Sequence, residues 1–201
     1  GGERVTEHGE RLRQLYTETR RALRRGLDNP VDKQALVQQT RQTSSDVLEG
    51  RGFTPEELEE LWRGRTDDYF LRERVEDIAW HTEAIASHHN SAIPLVLVRN
   101  NAESSVANTT QIFIHARSNA QLFSQICTGL EQLDLSVHDA RIYSANDGMS
   151  LDTFFVLDSS GQPITEDSAR LAHIKEYLSN SLSNETGTVA IPARRTPRKM
   201  K

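Results

Sequence analysis

Up to His89, apolar residues recur at helical spacing; beyond it they recur mostly at strand spacing. Over Arg4–Leu27, Leu12, Leu15, Tyr16, Thr19 and Leu23 share one face of a predicted helix. Arg11, Arg13, Arg20, Arg21, Arg24 and Arg25 make its other face basic. Gly26 and Asp28-Asn29-Pro30 supply the stop and the turn. A second helix over Val31–Glu49 carries Leu36, Val37, Val47 and Leu48, with Gly50 and Gly52 beyond it. Thr54-Pro55-Glu56-Glu57 opens a third. The threonine caps it, the proline suits its first position and the glutamates favour the positive end of its dipole. Leu58, Leu61 and Trp62 are its inner side. Asp67–Leu71 reads as a break with a short helical turn anchored by Tyr69 and Phe70. Val75–Ser87 is a fourth helix, with Ile78, Ala79, Ile85 and Ala86 as its apolar positions.

The pattern changes near residue 90. Pro94–Arg99 is β-like, Asn100–Asn108 is polar, and Thr110–Ala116 is a strand. A helix at Ala120–Leu133 places Leu122, Phe123, Ile126, Cys127, Leu130 and Leu133 on one face. In the next strand Val137, Ala140 and Ile142 cannot share a face at a period of two, which predicts a bulge near His138-Asp139. Asn146-Asp147-Gly148 is a hairpin turn signal. Leu151–Leu157 is apolar on both faces apart from Asp152 and Thr153. A last helix, starting at Thr165, turns Leu171, Ile174, Leu178 and Leu182 inward, and Thr188–Ile191 is a weakly signalled final strand. The expectation is an α+β chain. A helical segment at residues 3–89 leads into a βαββαβ unit with an antiparallel sheet at residues 91–195. Residues 196–201 form a linker.

Composition sharpens this picture in a few places. The net charge of −5 gives no reason to expect nucleic-acid binding by the whole chain. One cysteine, Cys127, cannot form an internal disulfide, which fits a reducing cytoplasm. The longest strongly apolar stretch, Ile93–Val98, is too short to span a membrane.

Candidate chemistry is sparse. No glycine-rich phosphate loop is present, since Gly50-Arg51-Gly52 lacks the preceding strand and the third glycine. The histidines do not fall at metal-ligand spacing. The adjacent pair His138-Asp139 lies on a strand without the clustered partners a metal-dependent phosphohydrolase needs. Asp67-Asp68 reads as a cap, and Cys127 as a structural thiol on an apolar helix face. The turn Ala116-Arg117-Ser118-Asn119 joins a strand to a helix N-terminus, where backbone amides can hold a carboxylate such as that of a free amino acid.

Several words in order and spacing resemble the bacterial bifunctional uridylyltransferase/uridylyl-removing enzymes of nitrogen control. They are Arg13–Gly26, Asp68-Tyr-Phe-Leu71, Ile78-Ala-Trp-His-Thr82, Thr110-Gln-Ile-Phe-Ile114, Ser136–Ile142 and Ser150-Leu-Asp-Thr-Phe154. The resemblance implies a parent that transfers UMP from UTP to the PII signalling protein and removes it again, using magnesium in catalytic domains. It implies glutamine sensing through ACT domains of ferredoxin-like fold. By this resemblance the chain is a helical connector plus a first ACT domain. It has neither nucleotidyltransferase nor hydrolase motif, and needs no cofactor of its own. The glutamine candidates are Arg117, Ser118, Asn119 and Leu122, joined by His138 and Asp139 on the neighbouring strand. Arg117-Ser118-Asn119 stands where many ACT domains have Arg-Pro-Gly. The alternative is an ACT-type module that pairs with another ACT domain, in self-association or otherwise, and binds nothing small. An RNA-binding sheet would need exposed aromatics, for which Phe113 and Phe155 are the analogues.

Overall fold

The structure is a computed structural model that describes residues 30–88, 93–101, 106, 108–164 and 168–183. The expected helix over Arg4–Leu27 with its arginines, the strand near Thr188–Ile191 and the basic tail lie outside the described residues. Among the described residues four helices come first: α1 (Pro30–Glu49), α2 (Pro55–Leu61), α3 (Asp67–Arg72) and α4 (Val75–Ser87). They are followed by β1 (Leu95–Asn101), β2 (Thr109–Arg117), α5 (Leu122–Gln132), β3 (Ser136–Ser144), β4 (Met149–Leu157) and α6 (Ser168–Ser183). Helix α2 starts with a full capping box: Thr54 Oγ1 accepts from the Glu57 amide and Glu57 accepts from the Thr54 amide.

The strands form one antiparallel sheet in the order β1-β2-β4-β3. This is the expected α+β architecture, with Thr110–Ala116 and Leu151–Leu157 adjacent in the sheet. The outer neighbour of β2 is β1, which precedes it in the chain, so the described part of the unit runs ββαββα. The bulge in β3 falls between Val137 and Asp139, as the broken alternation requires. Asp134, at φ 55°, turns the chain from α5 into β3 while the Leu135 amide donates back to Leu130.

Both faces of the sheet are covered. Val96, Ile112, Ile114, Ala116, Phe154 and Val156 pack under α5 and α6 through Leu122, Ile126, Leu130, Ile174 and Leu178. On the opposite face Phe113, Tyr143 and Leu151 pack against Val37, Leu48, Leu58, Trp62, Tyr69, Phe70 and Ile78 of the helical segment. This double burial is why β2 and β4 do not alternate cleanly between apolar and polar residues.

Helices α5 and α6 meet closely at Gly129, where a Cβ would stand 2.8 Å from Leu178 Cδ2. Leu178 is fully buried and has little room to turn away. In Gly129→Ala the overpacking outweighs the gain in helix propensity, for a net loss of about 1 kcal/mol. Urea denaturation measures this, and a stabilised variant would contradict the close contact.

Candidate functional site

The turn after β2 is already hydrogen-bonded, within itself and to the β3–β4 hairpin. The Ser118 amide donates to Gly148 O at 2.9 Å, and Asn119 Oδ1 accepts from the Gln121 amide at 2.8 Å. The Leu122 amide donates to Asn119 O at 3.3 Å. Three backbone donors of the expected carboxylate cradle are therefore engaged internally. Arg117, Ser118 and Asn119 are exposed, whereas Leu122 is buried in the core beneath α5.

His138 and Asp139 lie elsewhere. Asp139 pairs in register with Phe155 and Arg117 with Met149. Six residues of β4 separate those two levels, about 20 Å along the strand. Within one chain the two halves of the candidate set are not brought together. His138 is exposed at the bulge, and Asp139 Oδ2 stands 3.8 Å from Arg141 Nε.

Two acidic residues lie toward this end of the sheet: Asp147 in the β3–β4 hairpin, whose Oδ1 accepts from the Met149 amide, and the buried Asp152. Asp152 is opposite Ile114 of β2 and Ile142 of β3, two residues along the strand from the Ala116–Ser150 pair and on the same α5 side of the sheet. It is 2% exposed, and Oδ1 accepts a hydrogen bond from the Ser150 hydroxyl. Burial pushes its carboxyl up to about 6, partly opposed by that hydroxyl. The sequence carried a signal for it, as one of two polar positions in an apolar strand.

The second polar constellation lies where the helical segment meets the sheet. Arg141 Nη1 donates to Glu73 Oε2 at 3.0 Å and to Arg72 O at 3.1 Å, and the Tyr143 hydroxyl donates to Glu73 Oε1 at 2.9 Å. Burial raises the Glu73 carboxyl, opposed chiefly by Arg141. Arg99 pairs with Asp77, donates to Gln111 Oε1 and stacks over Trp80 at 3.7 Å. Trp62 donates to Thr82 Oγ1 at 3.0 Å. His81 contacts the Tyr69 hydroxyl through Nδ1 and stacks on Phe113 at 3.9 Å. Burial, then the Arg99 charge, hold it neutral well below the usual imidazole range; His115, also lowered first by burial, falls to about 4. These groups fasten helices to strands; they do not pair a nucleophile with a base.

Other candidates resolve simply. Among the described residues no group of three His, Cys, Asp or Glu could hold a metal ion. Burial raises the Cys127 thiol, the opposite of what a nucleophile requires. Phe113 and Phe155 are fully buried, Phe155 with the Arg141 guanidinium 4.8 Å above its ring, so neither is a platform for RNA bases. No described helix is long and apolar enough to cross a membrane.

Comparison with known proteins agrees with this geometry. Residues 32–84 match the family described as uridylyltransferase GlnD fifth domain, and residues 103–182 match the plant bHLH transcription factor ACT-like domain. Bifunctional uridylyltransferase/uridylyl-removing enzymes of Ectopseudomonas mendocina, Pseudomonas aeruginosa and Azotobacter vinelandii are each 43% identical over 190 residues, 94% of this chain. The chain spans 21% of the length of these relatives. The 43% identity over 94% of the chain, together with the match at residues 32–84, supports this chain being a portion of a bifunctional uridylyltransferase/uridylyl-removing enzyme.

Proposed function

We propose that this chain is a regulatory portion of a cytoplasmic enzyme that uridylylates and deuridylylates PII with UTP as donor, and that its ACT-like unit senses glutamine. The observation that carries the reading is the shared core. The helices that match the family's fifth domain roof one face of the sheet, so a change in the sheet reaches them through buried side chains. A shift of the helical connector against the sheet would break the Glu73–Arg141 and Asp77–Arg99 pairs. The buried junction favours the two moving together against the rest of the enzyme. Glutamine biases such an equilibrium only through different affinity for its two states.

The contact set is Arg117, Ser118, Asn119 and Leu122, with His138 and Asp139 facing a second domain from the far end of β3. Calorimetric titration with glutamine tests it. Binding is expected, and Asn119→Ala, which removes the side chain that shapes the turn, is expected to weaken it several-fold, on the order of the loss of one hydrogen bond. Unchanged affinity in that variant rejects the placement.

One observation favours a second reading, an interaction module. Among the described residues strand β3 is an edge of the sheet, and Val137 and Ile142 on it and Phe123 on α5 are about half exposed. Concentration-dependent sedimentation without any response to glutamine would support pairing with another ACT-like unit in place of sensing.

A further inference from the structure

We propose that Asp152 receives the ammonium group of an α-amino acid effector bound between the β2–α5 turn and the open β3 edge. The inference rests on the glutamine-sensing reading above and adds to it a residue and a charge role. Three acidic residues are buried among the described ones: Glu73, Asp77 and Asp152. The first two each face an arginine, Arg141 and Arg99 respectively. Among the described residues Asp152 faces no cation. Its neighbours in register are Ile114 and Ile142, and the Ser150 hydroxyl satisfies one of its two oxygens. A buried carboxylate is kept where something pairs with it, and an ammonium supplied by a ligand completes this one.

The placement suits that ligand. Ile142, opposite Asp152 on the edge strand, is 45% exposed, and Phe123, stacked on Phe154 from α5, is 53% exposed. Asp152 thus lies one strand in from an open, partly apolar edge.

The test is calorimetry on the 201-residue chain with glutamine and with its analogue lacking the amino group, in wild type and Asp152→Asn. The variant should bind glutamine about tenfold more weakly or worse, and the deamino analogue as wild type does. A second readout needs no variant: wild-type affinity for glutamine should fall as the pH is lowered through about 6, where Asp152 takes up a proton. The groups on this face are Ile114 from β2, Ile142 from β3, Ser150 and Phe154 on its own strand, and Leu122, Phe123 and Ile126 from the covering helix α5; none titrates. Circular dichroism confirms that the variant is folded. Glutamine binding that survives Asp152→Asn and is flat with pH overturns the assignment and leaves the sensing reading standing. No glutamine binding to wild type overturns both.

Discussion

Arg141→Ala is expected to destabilise the folded chain by about 3–5 kcal/mol near neutral pH. The Glu73 side chain has no exposed surface and Arg141 is its cation. Truncation leaves a buried carboxylate with the Tyr143 hydroxyl as its remaining support, exposes the Arg72 carbonyl to loss of its donor and removes the cation above Phe155. Glu73 is raised by burial even when paired, so without Arg141 it rises further. A carboxyl raised in the folded state binds protons more tightly there than in the unfolded chain. Stability of the variant therefore recovers as the pH falls toward that raised value. Urea titrations near pH 7.5 and near pH 5 measure both parts. Replacing the pair together, as Glu73→Leu with Arg141→Met, should recover much of the loss, because two uncharged side chains leave no orphaned charge. A single variant within about 1 kcal/mol of wild type would mean that the pair is a bystander.

Asp152→Asn should have the opposite sign. With its folded carboxyl at about 6 against an ordinary value of 3.8, ionised Asp152 costs the folded state up to about 3 kcal/mol above that range. The sign follows from proton uptake. The folded chain holds the proton more tightly, so wild-type stability falls as the pH rises between those values and stays reduced above them. Asparagine does not ionise, and its amide retains a partner in Ser150. The variant should therefore melt above wild type near neutral pH and match it near pH 4. A variant that melts lower at both pH values would show that Asp152 stabilises the sheet and is not held there at a cost. Stabilisation together with weakened ligand binding would be the signature of a residue retained for function.

Much of the architecture is legible in local spacing. Val137, Ala140 and Ile142 disclose the bulge, and Thr54 with Glu57 discloses the capping box, because both are determined within a few residues. The covering of the second sheet face is not legible in that way. Glu73 and Arg141 are 68 residues apart, and nothing in Arg74–Ser87 marks Asp77 as the partner of a strand arginine. Phe123 reads as an inner helix position by its period, yet it stays half exposed while its ring stacks on Phe154. His138 and Asp139 read as neighbours of the β2–α5 turn because consecutive elements tend to be adjacent. Register decides the distance, and β3 enters the sheet at the end remote from that turn.

The chain has two tryptophans. Trp62 sits edge-on to Phe70 and Trp80 lies beneath Arg99, both on the helical side of the seam with the strands. Intrinsic emission is thus a label-free gauge of that seam alone, blind to the amino-acid corner on the other side of the sheet. Heat released by an effector with no spectral change would confine its action to the far layer. A spectral change would mean that the signal has crossed the sheet.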